Sequence, residues 1–496
     1  MLNFFHICLY NNKKNTMIVN VEQHQGKFLI SYIKKEGNLG FTQLNIPPSQ
    51  QYMYMYAQKN RGIPGLLSWD FKPIRKVPVQ FLNRYRTQEF FMDAGEDMTK
   101  HLFEANMPIL SVADIEVEVT DEGFAEPEHA NNRITSICFC QYPNIVVFGS
   151  KLLSGDDCKY VQDNINEHVK KLGKSYNFIY KYHENEADMI YDFLYNYVRL
   201  APLITGWNFW GYDWRYIFNR SKKLNMDISW LSPTSQWYEH RIKDHNKDVI
   251  IMLPQHKLIV DYMAIYQKWD RTVEVKENDT LDFVAEEVLG IKKVKYPGSL
   301  QDLYNKDYPQ FVFYNAIDGV LVELLDNKLK TMGTFLGLAT ITRVEAMNAF
   351  SPIAMLEATL VRYGYKRGQV FPKRESTSER VDYEGAFVFE PIPNLYPWVA
   401  SYDFSSLYPT IMRQFKISIE NFLFKDKNYQ PKDKEIKTSS GAVFDASYDP
   451  LLSEILSNYY SQRKEAKQIS LLAEKEADEL EKILRKRKKI AVNSIE

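Results

Sequence analysis

Cysteine is scarce: four residues (Cys8, Cys138, Cys140, Cys158) in a chain of 496, with no Cys-x-x-Cys spacing. That excludes a disulfide framework and points to a reducing, cytoplasmic setting. Cys138 and Cys140 alternate along Ile137-Cys138-Phe139-Cys140, so both thiols face one way and are expected to be buried. No run of 18 apolar residues occurs, so no segment is expected to cross a membrane. The apolar start, Leu2 to Tyr10, lacks a basic leader and a small-residue cleavage site, which argues against a signal peptide. Excess charge is missing too: 62 Lys and Arg against 63 Asp and Glu leave a net charge of −1. Contacts with a polyanion would therefore need local basic patches rather than a global field. Internal repeats and low-complexity tracts are also absent.

What is present is an ordinary globular composition, 45% hydrophobic and 25% charged, in a chain too long for one domain. Two to four domains are expected. Residues 1–16 fit no pattern, and Met17 is an alternative start. From there to about residue 100 the pattern is that of a small N-terminal domain, opening with two strands around Gln25-Gly26. An α/β region follows over 101–330, with strands at 108–119, 134–142 and 145–149 and helices at about 156–172, 186–199, 280–289 and 308–330. Alternating charged and apolar stretches around Lys243 to Lys247 predict a long hairpin within 236–265. Residues 331–384 read as helices returning to the N-terminal domain and a polar linker from Lys373 to Arg380. A strand at 386–389 and a strand–turn–helix at 398–415 begin a further region over 385–450. The last stretch, 451–496, has no Gly or Pro and reads as two helices around an acidic middle.

Carboxylates carry the chemistry. Asp114 and Glu116 are two apart on a predicted strand and so project from one face. Two like charges on an apolar strand repel each other and suffer desolvation unless a divalent cation neutralises them. Asp213 ends the turn Gly206-Trp207-Asn208-Phe209-Trp210-Gly211-Tyr212 where a helix begins. Tyr314 and Asp318 are four apart on a helix and share a face. Any one Asp is ordinarily a cap or a surface charge. The ordered set of four, spread over roughly two hundred residues, fits phosphodiester hydrolysis by two Mg²⁺ ions, or Mn²⁺ in their place, with a tyrosine to orient the attacking water.

This set resembles the proofreading domain of family B DNA polymerases, the tyrosine-type DEDD exonucleases, and Leu281 to Gly290 is similar to the helix before that family's third exonuclease motif. The resemblance implies that Asp114, Glu116, Asp213 and Asp318 are metal ligands and that Tyr314 assists the water. It also implies an RNase H-like exonuclease domain, a mixed sheet flanked by helices, and a strand-separating role for the hairpin.

Ser401-Tyr402-Asp403-Phe404-Ser405-Ser406-Leu407-Tyr408-Pro409 delivers one carboxylate and then turns, so that following backbone N–H groups can face a triphosphate. It resembles motif A of family B polymerases. By that resemblance Asp403 is a catalytic metal ligand, Ser406 and Leu407 cradle the triphosphate, and Tyr408 lies beneath the incoming sugar. Tyr383-Glu384-Gly385 resembles the family's template-contacting Tyr-x-Gly. Arg463 with Lys467, and Lys489 with Asn493, are i,i+4 pairs that an antiparallel hairpin would bring together on a dNTP. They resemble the fingers and motif B, which makes the expected fold class multidomain α/β, with the exonuclease domain, a partial palm and helical-hairpin fingers.

The family's Tyr-Gly after Asn-Ser-x and its Asp-Thr-Asp segment do not occur. The reading is the N-terminal polypeptide of a split replicative polymerase of the large-phage type, acting in an infected host cell on primer–template DNA and single-stranded 3′ ends. A second polypeptide would supply the remaining palm, the thumb and any sliding-clamp contact. A stand-alone DNA exonuclease and an inactive DNA-binding fragment stay open as alternatives.

Overall fold

The computed structural model describes residues 18–24, 26–34, 36–59, 61–93, 107–119, 125–244, 247–269, 278–294, 298–373, 387–404 and 406–493, with backbone alone at 244, 481 and 483–493. Strands β1 (Ile18–His24), β2 (Lys27–Ile33), β3 (Leu39–Asn45), β4 (Tyr52–Tyr56) and β5 (Ile74–Pro78) precede helix α1 (Arg84–Asp93). Next come β6 (Ser111–Val117), β7 (Ile134–Gln141), β8 (Asn144–Gly149), α2 (Gly155–Val169), β9 (Asn177–Tyr182), α3 (Glu186–Phe193), β10 (Leu203–Thr205) and α4 (Asp213–Lys223). Strands β11 (Trp237–Asp244), β12 (Lys247–Pro254) and β13 (Leu258–Ile259) lead into α5 (Tyr262–Trp269), α6 (Leu281–Leu289), α7 (Leu300–Lys306) and α8 (Tyr308–Leu329). After α9 (Thr331–Thr342) and α10 (Pro352–Lys366), the chain closes with α11 (Leu407–Gln414), β14 (Phe422–Lys425), β15 (Glu435–Lys437), β16 (Ala442–Asp445) and α12 (Leu451–Asn493). Among the described residues no helix is long and apolar enough to cross a membrane.

Two compact units result, Met1–Asn45 with Asp97–Met355, and Ile46–Glu96 with Leu356–Glu496. The first contains the antiparallel sheet β1-β2-β3 and a six-stranded mixed sheet in the order β13-β10-β6-β7-β8-β9. Strand β6 lies inside that sheet, parallel to β10 and antiparallel to β7, and is covered on both faces. Double coverage explains why its sequence is apolar at nearly every position rather than alternating. Helix α8 crosses β6, β7 and β8. It is buried on most of its circumference, as expected of a helix that is apolar all round. Asp307 caps it by accepting the Gln310 N–H (3.2 Å). Gly319 lets α8 approach β7: a Cβ there would lie 2.9 Å from Cys138 Sγ. Cys138 and Cys140 are both buried free thiols. The hairpin is β11 with β12, paired from Trp237–Pro254 to Asp244–Lys247. It ends at Pro254, so Leu258–Ile259 belongs to the large sheet beside β10 instead.

The second unit holds the ribbon β4–β5 and the antiparallel sheet β14-β16-β15, with α11 packed on α12. Two expectations fail here. Residues 451–493 form one continuous helix of 43 residues, not a hairpin. This run is rich in Glu, Lys, Leu and Ala, with no Gly or Pro to break it, so local propensity favours continuation. Residues 387–404 form no strand, because a strand needs a ladder partner and none lies beside them among the described residues. Tyr383 to Ala386, the residues before Ile18, and the linker beyond Lys373 lie outside the described residues.

Candidate active site

Strand β6 places Asp114 and Glu116 on one face, opposite Cys138 and Ser136 of β7. Helix α8 lays Asp318 over that face. One oxygen from each of Asp114, Glu116 and Asp318 lies within 4.8 Å of the others. Asn315, one residue beyond Tyr314 on α8, ties the layers together. Its Nδ2 donates to Asp114 Oδ2 (2.8 Å), and its Oδ1 accepts from Ser136 Oγ (2.8 Å). Asp318 is 5% exposed, and its Oδ1 has no hydrogen-bond partner among the described residues. A buried, unsatisfied carboxylate oxygen beside two more carboxylates is the donor set of a hard divalent cation.

Asp213 stands beside this trio rather than in it. Its Oδ1 accepts the Ile115 N–H (3.1 Å), on the strand between Asp114 and Glu116. The turn that delivers it crowds against β6: a Cβ at Gly206 would lie 2.4 Å from the Ala113 carbonyl oxygen. Asp261 holds the same turn by accepting the Trp210 N–H (3.0 Å).

All four carboxyls are pushed above their usual range. Burial raises Asp114 to about 8, and the charge of Asp318 adds to it. Burial comes first for Glu116 and Asp213 as well, followed for each by the charge of Asp114. Asp318 is raised by burial and relieved by Lys293. So many anions in a small dry volume cannot all ionise without added positive charge.

Lys293 supplies part of that charge, and sequence reasoning missed it. Its Nζ lies 2.6 Å from Asp318 Oδ2 and donates to the Tyr314 hydroxyl at 3.0 Å. Burial acts to lower Lys293, but Asp318 and Tyr314 outweigh it and hold the ammonium well above its ordinary value. In sequence, Lys292-Lys293 looks like any solvated pair after a helix stop. Asn315 was equally silent, although it sits inside the Tyr-x₃-Asp motif.

A model of the exonuclease domain of DNA polymerase family B matches residues 74–272, which include Asp114, Glu116 and Asp213. A model of DNA polymerase family B itself matches residues 353–495, which include Asp403. The chain carries exonuclease and polymerase domains of DNA polymerase family B. Among family B relatives, the DNA-directed DNA polymerase of Escherichia phage RB69 is 27% identical over 416 residues, covering 76% of this chain and 44% of that polymerase. The DNA-directed DNA polymerase of Enterobacteria phage T4 is 25% identical over 404 residues, with the same two coverages of 76% and 44%. The DNA polymerase delta catalytic subunit of Candida albicans is 27% identical over 308 residues, 58% of this chain and 29% of that subunit. The chain thus spans less than half the length of each of these three relatives.

The residues expected at the family B polymerase site are less assembled. Asp403 is exposed, and Tyr402 and Tyr408 are 93% and 75% exposed. Ser406 precedes α11 with a φ of +53, and its Oγ accepts from Arg463 Nη1 (3.3 Å). Leu407 opens that helix, and Lys467 lies one turn beyond Arg463 on α12. Lys489 and Asn493 share α12 with Arg463. At the α-helical rise, 26 residues put Lys489 about 39 Å beyond it. The two pairs therefore do not converge, because the helix never turns back.

Proposed function

We propose that these residues form a two-metal 3′→5′ DNA exonuclease joined to the opening part of a polymerase site. The observation that carries the reading is the trio Asp114, Glu116 and Asp318, within 4.8 Å and with a buried oxygen on Asp318 that has no hydrogen-bond partner among the described residues. The donor set fits Mg²⁺, with Asp114, Glu116 and Asp318 as ligands and Asp213 beside them at the start of α4. Bound there, the metal pair supplies an activated water and a Lewis acid for the leaving oxygen.

The chain's own groups do the rest. Lys293 donates to the Tyr314 oxygen and holds that hydroxyl beside Asp318, where it would orient a water or a phosphate oxygen. The same ammonium faces Asp318 and balances anionic charge where a scissile phosphate would enter. Asn315 keeps Asp114 aimed at its neighbours. The purified chain should degrade single-stranded DNA from its 3′ end in Mg²⁺, and Asp114→Ala should abolish this. Hydrolysis that survives the substitution comes from a contaminant and removes the reading.

For nucleotidyl transfer we assign Asp403 as a metal ligand, with the 406–408 turn, Arg463 and Lys467 facing the dNTP triphosphate. Lys489 and Asn493 would join them only if α12 bends. Asp403 is the polymerase carboxylate assigned in these residues, and two-metal transfer needs a second metal-binding carboxylate beside it. Primer extension with and without a chain bearing Asp-Thr-Asp tests this. Extension by the lone chain refutes it, whereas no reconstitution favours a stand-alone exonuclease. Asp403→Ala should abolish any reconstituted extension.

A further inference from the structure

A lysine in a carboxylate site is useful only if its flexible stem is aimed, and Lys293 lies outside any helix or strand. Helix α6 ends at Gly290 with a φ of +70, which reverses the chain, and Ile291 is then buried. The next fixed point is a hydrogen bond: the Lys293 backbone N–H donates to Asp282 Oδ1 at 2.7 Å. Asp282 lies in the first turn of α6, eleven residues away. It is not needed as that helix's cap, because Thr280 accepts the Phe283 N–H.

We propose that Asp282 is a positioning residue for the exonuclease reaction, holding the 290–294 loop so that the Lys293 ammonium reaches both Asp318 and Tyr314. A side chain with four rotatable bonds visits many directions. Fixing its backbone with a charge-assisted hydrogen bond removes most of the disorder before substrate arrives. The proposal rests on the reading of Lys293 as part of the nuclease site.

The bland alternative is that Asp282 only complements the dipole of α6. Two conservative variants separate the roles. D282N keeps the Oδ1 acceptor and removes the charge, whereas D282E keeps the charge and displaces the acceptor by a methylene. Single-turnover hydrolysis of a 3′ single-stranded oligonucleotide in Mg²⁺ is measured for both, alone and in a Lys293→Met background, with melting temperatures as the check on folding. Positioning predicts that D282N stays within about threefold of the parent and that D282E falls by about tenfold or more, the scale expected for misplacing a reacting group. It also predicts that D282E adds no further loss once Lys293 is Met. Activity lost in D282N but kept in D282E, or losses in D282E and Lys293→Met that multiply, would overturn it. Hydrolysis unaffected by Lys293→Met alone would instead remove the underlying reading of Lys293.

Discussion

The ammonium of Lys293 and the carboxylate of Asp318 form an ion pair of 2.6 Å at the centre of the acidic cluster. Because Asp318 is 5% exposed, this pair is not a surface decoration. Breaking a buried pair leaves a charge uncompensated. Lys293→Met should lower the rate of 3′-end hydrolysis by about tenfold or more, comparable to losing an outer-shell partner. A rapid-quench assay on end-labelled single strands reads this directly, and an unchanged rate would refute the role.

The Tyr314 hydroxyl is held by the same ammonium at 3.0 Å. Tyr314→Phe keeps the ring and deletes only the oxygen. Hydrolysis should slow by about tenfold or more, as for other groups that position a reactant. Stabilisation by Mg²⁺ should persist, since the carboxylates are untouched. Loss of the Mg²⁺-induced rise in melting temperature would instead make Tyr314 part of the metal site.

The raised carboxyls make the metal-free protein sensitive to pH. Asp114 is held at about 8. Between the ordinary carboxylate range and about 8, the folded chain therefore keeps a proton that the unfolded chain has released. The associated stability is fully present below the ordinary range and is lost as pH rises through about 8. The melting temperature in EDTA should fall between about pH 5 and about pH 8.5, and Mg²⁺, by replacing protons, should recover most at the upper end. Asp114→Asn should flatten both effects. A metal-free melting temperature that rises over this window would contradict the burial argument.

Gly206 admits no side chain, because a Cβ would lie 2.4 Å from the Ala113 carbonyl and 2.6 Å from the Phe209 ring. Gly206→Ala should cost about 1–3 kcal/mol of stability, the usual range for overpacking. It should also slow hydrolysis, because the turn it displaces delivers Asp213. Chemical denaturation together with the nuclease assay checks this. A variant as stable and active as the parent would show that the turn tolerates the shift.

Local periodicity made much of this molecule readable. Alternation put Asp114 and Glu116 on one face, and the four-residue interval put Tyr314 and Asp318 on another. The stop at Gly290 and the hairpin around Lys243 to Lys247 were equally legible, since each depends on a few neighbouring residues. Where a partner or a competing local preference decided the outcome, the reading failed. Residues 387–404 carry strand-like runs but have no described ladder to join, and 451–493 follow their own helix propensity through the expected turn.

Order along the chain was thus enough to point to the family, to the acidic side chains and to the faces they occupy, because these depend on side-chain identity and short-range geometry. Packing alone decided that Asp213 pairs with the Ile115 N–H beside the trio, that Asn315 bridges two layers, and that Lys293 returns to Asp318. Such contacts join residues 25 to 201 positions apart: the crossing of α8 over the sheet brings Asn315 and Asp318 within reach, and the turn after β10 brings Asp213.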